Sequence, residues 1–195
     1  LKVLRHKGKS HGVKETRGKY SKGKSIRKRD KSVYSREEAG HWEADTVVSG
    51  QGKSKACFAT LAERKTRFYI AMKMSDRRAE TMENAIVAAL SAFPPQLVKT
   101  ITCDRGTEFA NWRRIEERLH CEVYFADPYC AWQKGTNENL NGLLREFYPK
   151  GRNLSRVAPA TLKRNLALLN ARPRKVLYFH SAQELWDFEL NSCCT

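Results

Sequence analysis

At 195 residues and 41% hydrophobic content, the chain suits one folded domain with an appendage and is not disordered throughout. No apolar run approaches the roughly 18 residues a membrane span needs, and no charged-apolar-small signal opens the chain. The formal charge of +16 is uneven: residues 1–32 hold 13 Lys or Arg against Glu15 and Asp30, which marks an arm suited to neutralising phosphates.

Residues 1–38 are rich in Lys, Arg, Gly and Ser with little apolar periodicity, and are expected to be a flexible basic linker that only an anion would order. Alternation through Trp42, Ala44, Thr46 and Val48 predicts a strand, closed by Ser49-Gly50-Gln51-Gly52. Residues 56–63 and 68–74 make two more, so the domain opens with three antiparallel strands. The period then changes: Met82, Ile86, Ala89 and Leu90 share one helical face within 78–91, and Pro94-Pro95 ends that element. A strand over 98–103, a helix over 112–119 and a strand over 122–125 follow, an alternation that argues for parallel strands with crossover helices. Thr136 is expected to cap a helix over 137–147, a further helix covers 160–170, and Ser181 caps another over 182–188. The order βββαβαβα, three antiparallel strands and then two parallel ones, matches the ribonuclease H-like mixed sheet flanked by helices. The expected division is a linker over 1–38, a catalytic domain over 39–190 and a tail over 191–195.

In that architecture the fourth strand lies beside the first, which would bring Asp45, Asp104 and Glu138 to one point. Taken singly each has a bland reading: a polar strand residue, a turn former before Gly106, a helix N-terminal acid. Taken together they predict a metal, because carboxylates at about 4 Å repel by roughly 4 kcal/mol per pair at an effective dielectric near 20. Oxygen-only ligation favours Mg²⁺, with Mn²⁺ able to substitute, and the chemistry is in-line displacement at phosphorus. Asp127 is a reserve ligand, and Glu43 is expected to be a structural hydrogen-bond partner. Lys134 and Arg145 are placed as phosphate contacts and Trp132 as a stacking platform for an unpaired base, so all three are candidate DNA-binding residues. Surface salt bridging, of Arg145 with Glu138 or Glu146, and lid packing of Trp132 are the competing readings. Arg172-Pro173-Arg174-Lys175 is a second basic cluster, fit to clamp a duplex or to be a solvated turn. Cys57, Cys103, Cys121 and Cys130 lack metal-ligand spacing and read as reduced thiols of a cytosolic protein; Cys193 and Cys194 receive no role.

Several long runs carry a family resemblance: Gly40-His41-Trp42-Glu43-Ala44-Asp45, Glu63-Arg64-Lys65-Thr66-Arg67-Phe68, Thr100-Ile101-Thr102-Cys103-Asp104-Arg105-Gly106, and Trp132-Gln133-Lys134-Gly135-Thr136-Asn137-Glu138-Asn139. Over residues 40–188 the chain closely resembles the insertion-sequence-thirty family of bacterial transposases, with a retroviral-integrase-like core. The resemblance implies a DDE triad of Asp45, Asp104 and Glu138, with Arg145 at the basic position seven residues on. It implies Mg²⁺-dependent cutting of element ends and joining of 3′-hydroxyls to target DNA, by a homo-oligomer in the bacterial cytoplasm at the nucleoid. Arg105 stands where Asn is common, and His180-Ser181-Ala182 replaces a Thr-Pro pair. Such proteins carry an upstream helix-turn-helix domain, and a chain beginning at Leu1 reads as a fragment or one lacking that domain. A ribonuclease H-like nuclease without joining activity and a catalytically silent DNA-binding remnant are the rival readings.

Overall fold

The computed structural model describes residues 23–193. Its six strands are β1 (Lys24–Ser25), β2 (His41–Val48), β3 (Cys57–Glu63), β4 (Tyr69–Met74), β5 (Thr100–Cys103) and β6 (Glu122–Phe125), joined in one sheet of order β1-β6-β5-β2-β3-β4. β2, β3 and β4 are antiparallel neighbours, whereas β5 lies parallel to β2 and β6 parallel to β5. The helices are α1 (Ala79–Leu90), α2 (Trp112–Leu119), α3 (Gly135–Phe147), α4 (Pro159–Ala171) and α5 (Ala182–Ser192). This is the ribonuclease H-like arrangement expected from the order of elements, with one short strand added at the edge.

Strand alternation sorts two apolar cores onto opposite faces of the sheet. Trp42, Ala44 and Leu61 face a core shared with α1 and α2, into which α5 sends Trp186. The Trp186 ring stacks on Phe68 at 5.1 Å and meets Trp42 edge-on at 5.3 Å, which fixes the last helix to the sheet. Val47, Phe58 and Ala62 face the second core, closed by Leu140 and Leu144 of α3 and Leu162 and Leu169 of α4. β3 is buried along its whole length because helices cover both of its faces. Burial pushes the Cys121 thiol up to about 12 and Cys57 up to about 11, so both read as inert core thiols.

The expectation of a flexible linker through residue 38 is corrected over 24–38. β1 pairs with β6, and two apolar anchors, Ile26 and Val33, are buried in the 3-10 turns Ile26–Lys28 and Lys31–Tyr34. Three of the arm's cations engage the folded body: Lys24 with Glu116 and Glu122 and Arg27 with Asp127 in surface pairs, while buried Arg29 turns inward and donates to Thr102 Oγ1 at 2.7 Å. Residues 1–22, the remainder of that arm, lie outside the described residues, as do Cys194 and Thr195 of the expected tail.

Thr136 does not cap α3. A 3-10 turn over Ala131–Lys134 runs straight into the helix, leaving Thr136 buried inside its first turn, where Oγ1 accepts from Arg67 Nη1 at 3.0 Å. The N-terminus of α3 is held instead by β2 and β3. Fully buried Glu43 accepts from the Asn137 backbone N–H at 2.9 Å and from Arg64 Nη1, while Asn137 Nδ2 donates to the carbonyls of Glu43 and Thr60. Ser181 caps α5 as expected, in a reciprocal box with Glu184. Glu43→Ala leaves a buried guanidinium without its carboxylate, a loss of about 3–5 kcal/mol. For a domain of this size that is a fall in melting temperature on the order of 10 °C, measurable by calorimetry.

Candidate active site

Asp45 sits in the middle of β2, opposite Thr60 of β3, on the face that α3 covers. Asp104 follows β5 directly, and the parallel pairing of β5 with β2 carries it to the same region of the sheet. Its Oδ1 accepts from the Gly106 N–H at 2.8 Å, closing a tight turn with little room at residue 106. A Cβ there would lie 2.9 Å from that oxygen and 2.4 Å from Glu108 Oε2.

What joins the two aspartates is Lys134, only 7% exposed. Its Nζ lies 3.5 Å from Asp45 Oδ1 and 3.4 Å from Asp104 Oδ2, and donates to the Ala44 carbonyl at 3.2 Å. The expected phosphate contact is therefore turned inward, because two converging carboxylates offer a buried ammonium better compensation than solvent at this depth. The electrostatics are lopsided. Burial depresses the Lys134 ammonium, but Asp45 and Asp104 more than offset it and hold its pKa above the usual lysine range. Asp45 is nevertheless pushed up, by burial first and by the Asp104 charge, against the pull of Lys134 and the Thr46 N–H. Burial is thus the larger influence on Asp45, and the Lys134 ammonium the nearest positive charge that opposes it.

Glu138 lies in the first turn of α3 and is exposed, its carboxylate free of hydrogen bonds and ion pairs among the described residues. No three His, Cys, Asp or Glu side chains among the described residues stand close enough to hold one metal ion. By spacing, however, Glu138 falls between two residues that both reach Asp45: Lys134, four before it, and Asn141, three after it, whose Nδ2 donates to Asp45 Oδ2 at 3.0 Å.

The remaining candidates separate. Arg145 donates to the carbonyls of Val48 and Tyr148, at 3.0 and 3.3 Å, tying the end of α3 to the end of β2; it pairs with neither Glu138 nor Glu146. Trp132 is 73% exposed on the turn before α3, so it is not packed as a lid. Asp127 is taken up by Arg27 and Gln133 and is not drawn to the aspartate pair. Glu108 and Asn141 escaped the sequence reading. Glu108 is buried, accepts from Thr46 Oγ1 at 3.0 Å and pairs with Arg77 at 2.5 Å beside the Asp104 turn. Both residues lie within a few positions of a candidate acid, which was the available signal.

Residues 35–131 match the integrase core domain. The chain is 37% identical over 165 residues to the probable transposase for insertion-like sequence element IS1161 of Streptococcus salivarius, covering 85% of this chain and 46% of that protein. It is 36% identical over 184 residues to transposase InsI for insertion sequence element IS30C of Escherichia coli K12, covering 93% and 47%. The chain thus spans about half the length of these relatives. Among solved structures, the catalytic core domain of BIV integrase superposes with a TM-score of 0.60 at 15% identity, over 80% of this chain and 99% of that one. The HTLV-2 integrase catalytic core domain in complex with magnesium gives 0.57 at 14%, over 75% and 95%. At such identities these two speak for the fold. No helix among the described residues is long and apolar enough to cross a membrane. With the sequence relatives and the shared core taken together, the chain belongs to the IS30 family of transposases within the integrase core-domain group.

Proposed function

We propose that this chain is the catalytic core of a DNA transposase that cuts element ends and joins the freed 3′-hydroxyls to target DNA. The observation that carries the reading is the pair Asp45 and Asp104 closed around one buried cation, the Lys134 ammonium. Hard oxygen donors around a stand-in positive charge fit Mg²⁺ or Mn²⁺. Asp45 and Asp104 would hold the metal and Glu138, one turn beyond Lys134, would complete the set. A divalent ion held there would activate the attacking oxygen and stabilise the leaving one. Asn141 orients the Asp45 carboxylate through its 3.0 Å hydrogen bond. Lys134, if displaced from the pair, would supply a cation for a phosphate at this site. Arg145 braces the helix that carries Glu138, and exposed Trp132 is left to meet DNA near the cut. The chain would act as a homo-oligomer on element ends and target.

Incubating the purified chain with pre-cleaved element-end DNA and target plasmid in Mn²⁺ should give joined product. Nicking without joining would favour a nuclease of the same fold, and tight binding with neither activity would favour a silent remnant.

A further inference from the structure

Charge on the folded part of the chain is divided in a way the aspartate site does not use. Residues 33–146 carry sixteen basic and sixteen acidic side chains, whereas residues 147–183 carry eight Lys or Arg and no Asp or Glu. Seven of those eight are exposed, and none forms an ion pair among the described residues. The exception to exposure, Arg174, donates to the Leu169 carbonyl at the end of α4.

The fold lays this acid-free stretch out as a track. It starts beyond the end of β2 nearest Asp45, where Gly50 N–H donates to the Arg152 carbonyl and Leu154 N–H to Ser49 Oγ. It continues along α4, whose outward stripe at 160, 163, 164, 167, 168 and 171 holds Lys163 and Arg164 and no acid. It ends in the loop after α4, with Arg172 and Lys175 exposed. That loop is stiff: Phe179 N–H donates to the Arg174 carbonyl at 2.9 Å and Arg174 N–H to the His180 carbonyl at 3.1 Å, over buried Leu177. It displays Tyr178, 89% exposed, and Phe179, 72% exposed, both with left-handed φ, 52° and 68°. Two non-glycine residues in that region are a local strain, and here the hydrogen bonds sustain it while two aromatic rings face outward.

We propose that the α4 face, from Arg152 to Phe179, is a second DNA-binding surface that holds duplex running away from the aspartate pair. The inference rests on the DNA reading of the site and adds where the duplex lies. Cations free of ion pairs and without interleaved acids are the footprint of a polyanion, whereas a contact between copies of this chain would set like charges against each other. The 13-residue α4 is about 20 Å long, the span of about six phosphates on one strand. Tyr178 and Phe179 close the track with flat apolar faces for sugars or an unstacked base.

The test is fluorescence anisotropy of the full chain with labelled duplex across a salt series. Lys163→Ala, Arg164→Ala, Arg172→Ala and Lys175→Ala combined should flatten the slope of log affinity against log salt by roughly 3–4. The charge-keeping set Lys163→Arg, Arg164→Lys, Arg172→Lys and Lys175→Arg should retain the slope, and Tyr178→Ala with Phe179→Ala should weaken binding without altering it. An unchanged slope in the alanine set overturns the surface, as does an effect confined to self-association in sedimentation. Absence of salt-dependent duplex binding by the unmodified chain would overturn the DNA reading itself, and the surface with it.

Discussion

Asp104→Asn should abolish nicking and joining while leaving duplex affinity unchanged. The substitution keeps the side chain's shape and its Oδ1, which accepts from the Gly106 N–H, so the turn after β5 stays in place. It removes the charge that, with Asp45, defines the cation position. Removing one pre-organised electrostatic group from an active site commonly costs on the order of 10²- to 10³-fold, and loss of a metal ligand belongs at or beyond the upper end. Affinity should not fall, because a carboxylate opposes phosphate rather than attracting it. The measurement is product formation on pre-cleaved ends beside anisotropy at the same salt. Comparable turnover by the variant would defeat the assignment of the aspartate pair as the metal site.

The fold was legible because its signals are periodic and local. Alternation in β2, the change to helical period at α1 and the return to short apolar strands fix the order of elements, and that order fixes which strands are neighbours. Asp45 and Asp104 could be paired on those grounds alone, since one lies on β2 and the other directly follows β5, strands whose adjacency follows from the architecture. Glu138 belongs to a helix terminus, and there the register depends on how the preceding turn enters. The 3-10 turn over Ala131–Lys134 has no periodic signature, so Thr136 looks like a cap and Lys134 looks like a surface cation.

Residues 24–38 were illegible for a related reason. Ile26 and Val33 are too sparse to set a period, and β1 is two residues long, held by pairing with β6 rather than by its own pattern. Arg145 carries the right spacing from Glu138, but only packing shows its donors committed to the carbonyls of Val48 and Tyr148. The basic run over 147–183 has no periodic or compositional edge in the sequence beyond the cluster at 172–175. Summed from residue 33 onward, it is diluted by a neutral body and by Glu184, Asp187 and Glu189 in α5.

Lys134→Met should make the protein's stability depend on divalent metal. In the wild-type chain the ammonium separates two carboxylates that otherwise face each other across a partly exposed gap. Methionine keeps the length of the stem and removes the charge. Breaking a fully buried pair costs about 3–5 kcal/mol, but the Asp45 and Asp104 side chains are 29% and 47% exposed, so solvent screening brings the expected loss to about 2 kcal/mol. For a domain of this size that is a fall of roughly 4–8 °C in melting temperature with EDTA present. Mg²⁺ should recover most of it, and should stabilise the variant more than the wild type, because in the variant no tethered cation competes for the site. Thermal melts of both proteins with EDTA and with Mg²⁺ give the four values needed. If the variant is as stable as wild type with EDTA, the ammonium is not what holds the aspartates together. If Mg²⁺ raises both proteins equally, the lysine and the metal do not share one position. The expected pattern would make the lysine a resident counter-ion, keeping the aspartates converged until the metal that performs the chemistry displaces it.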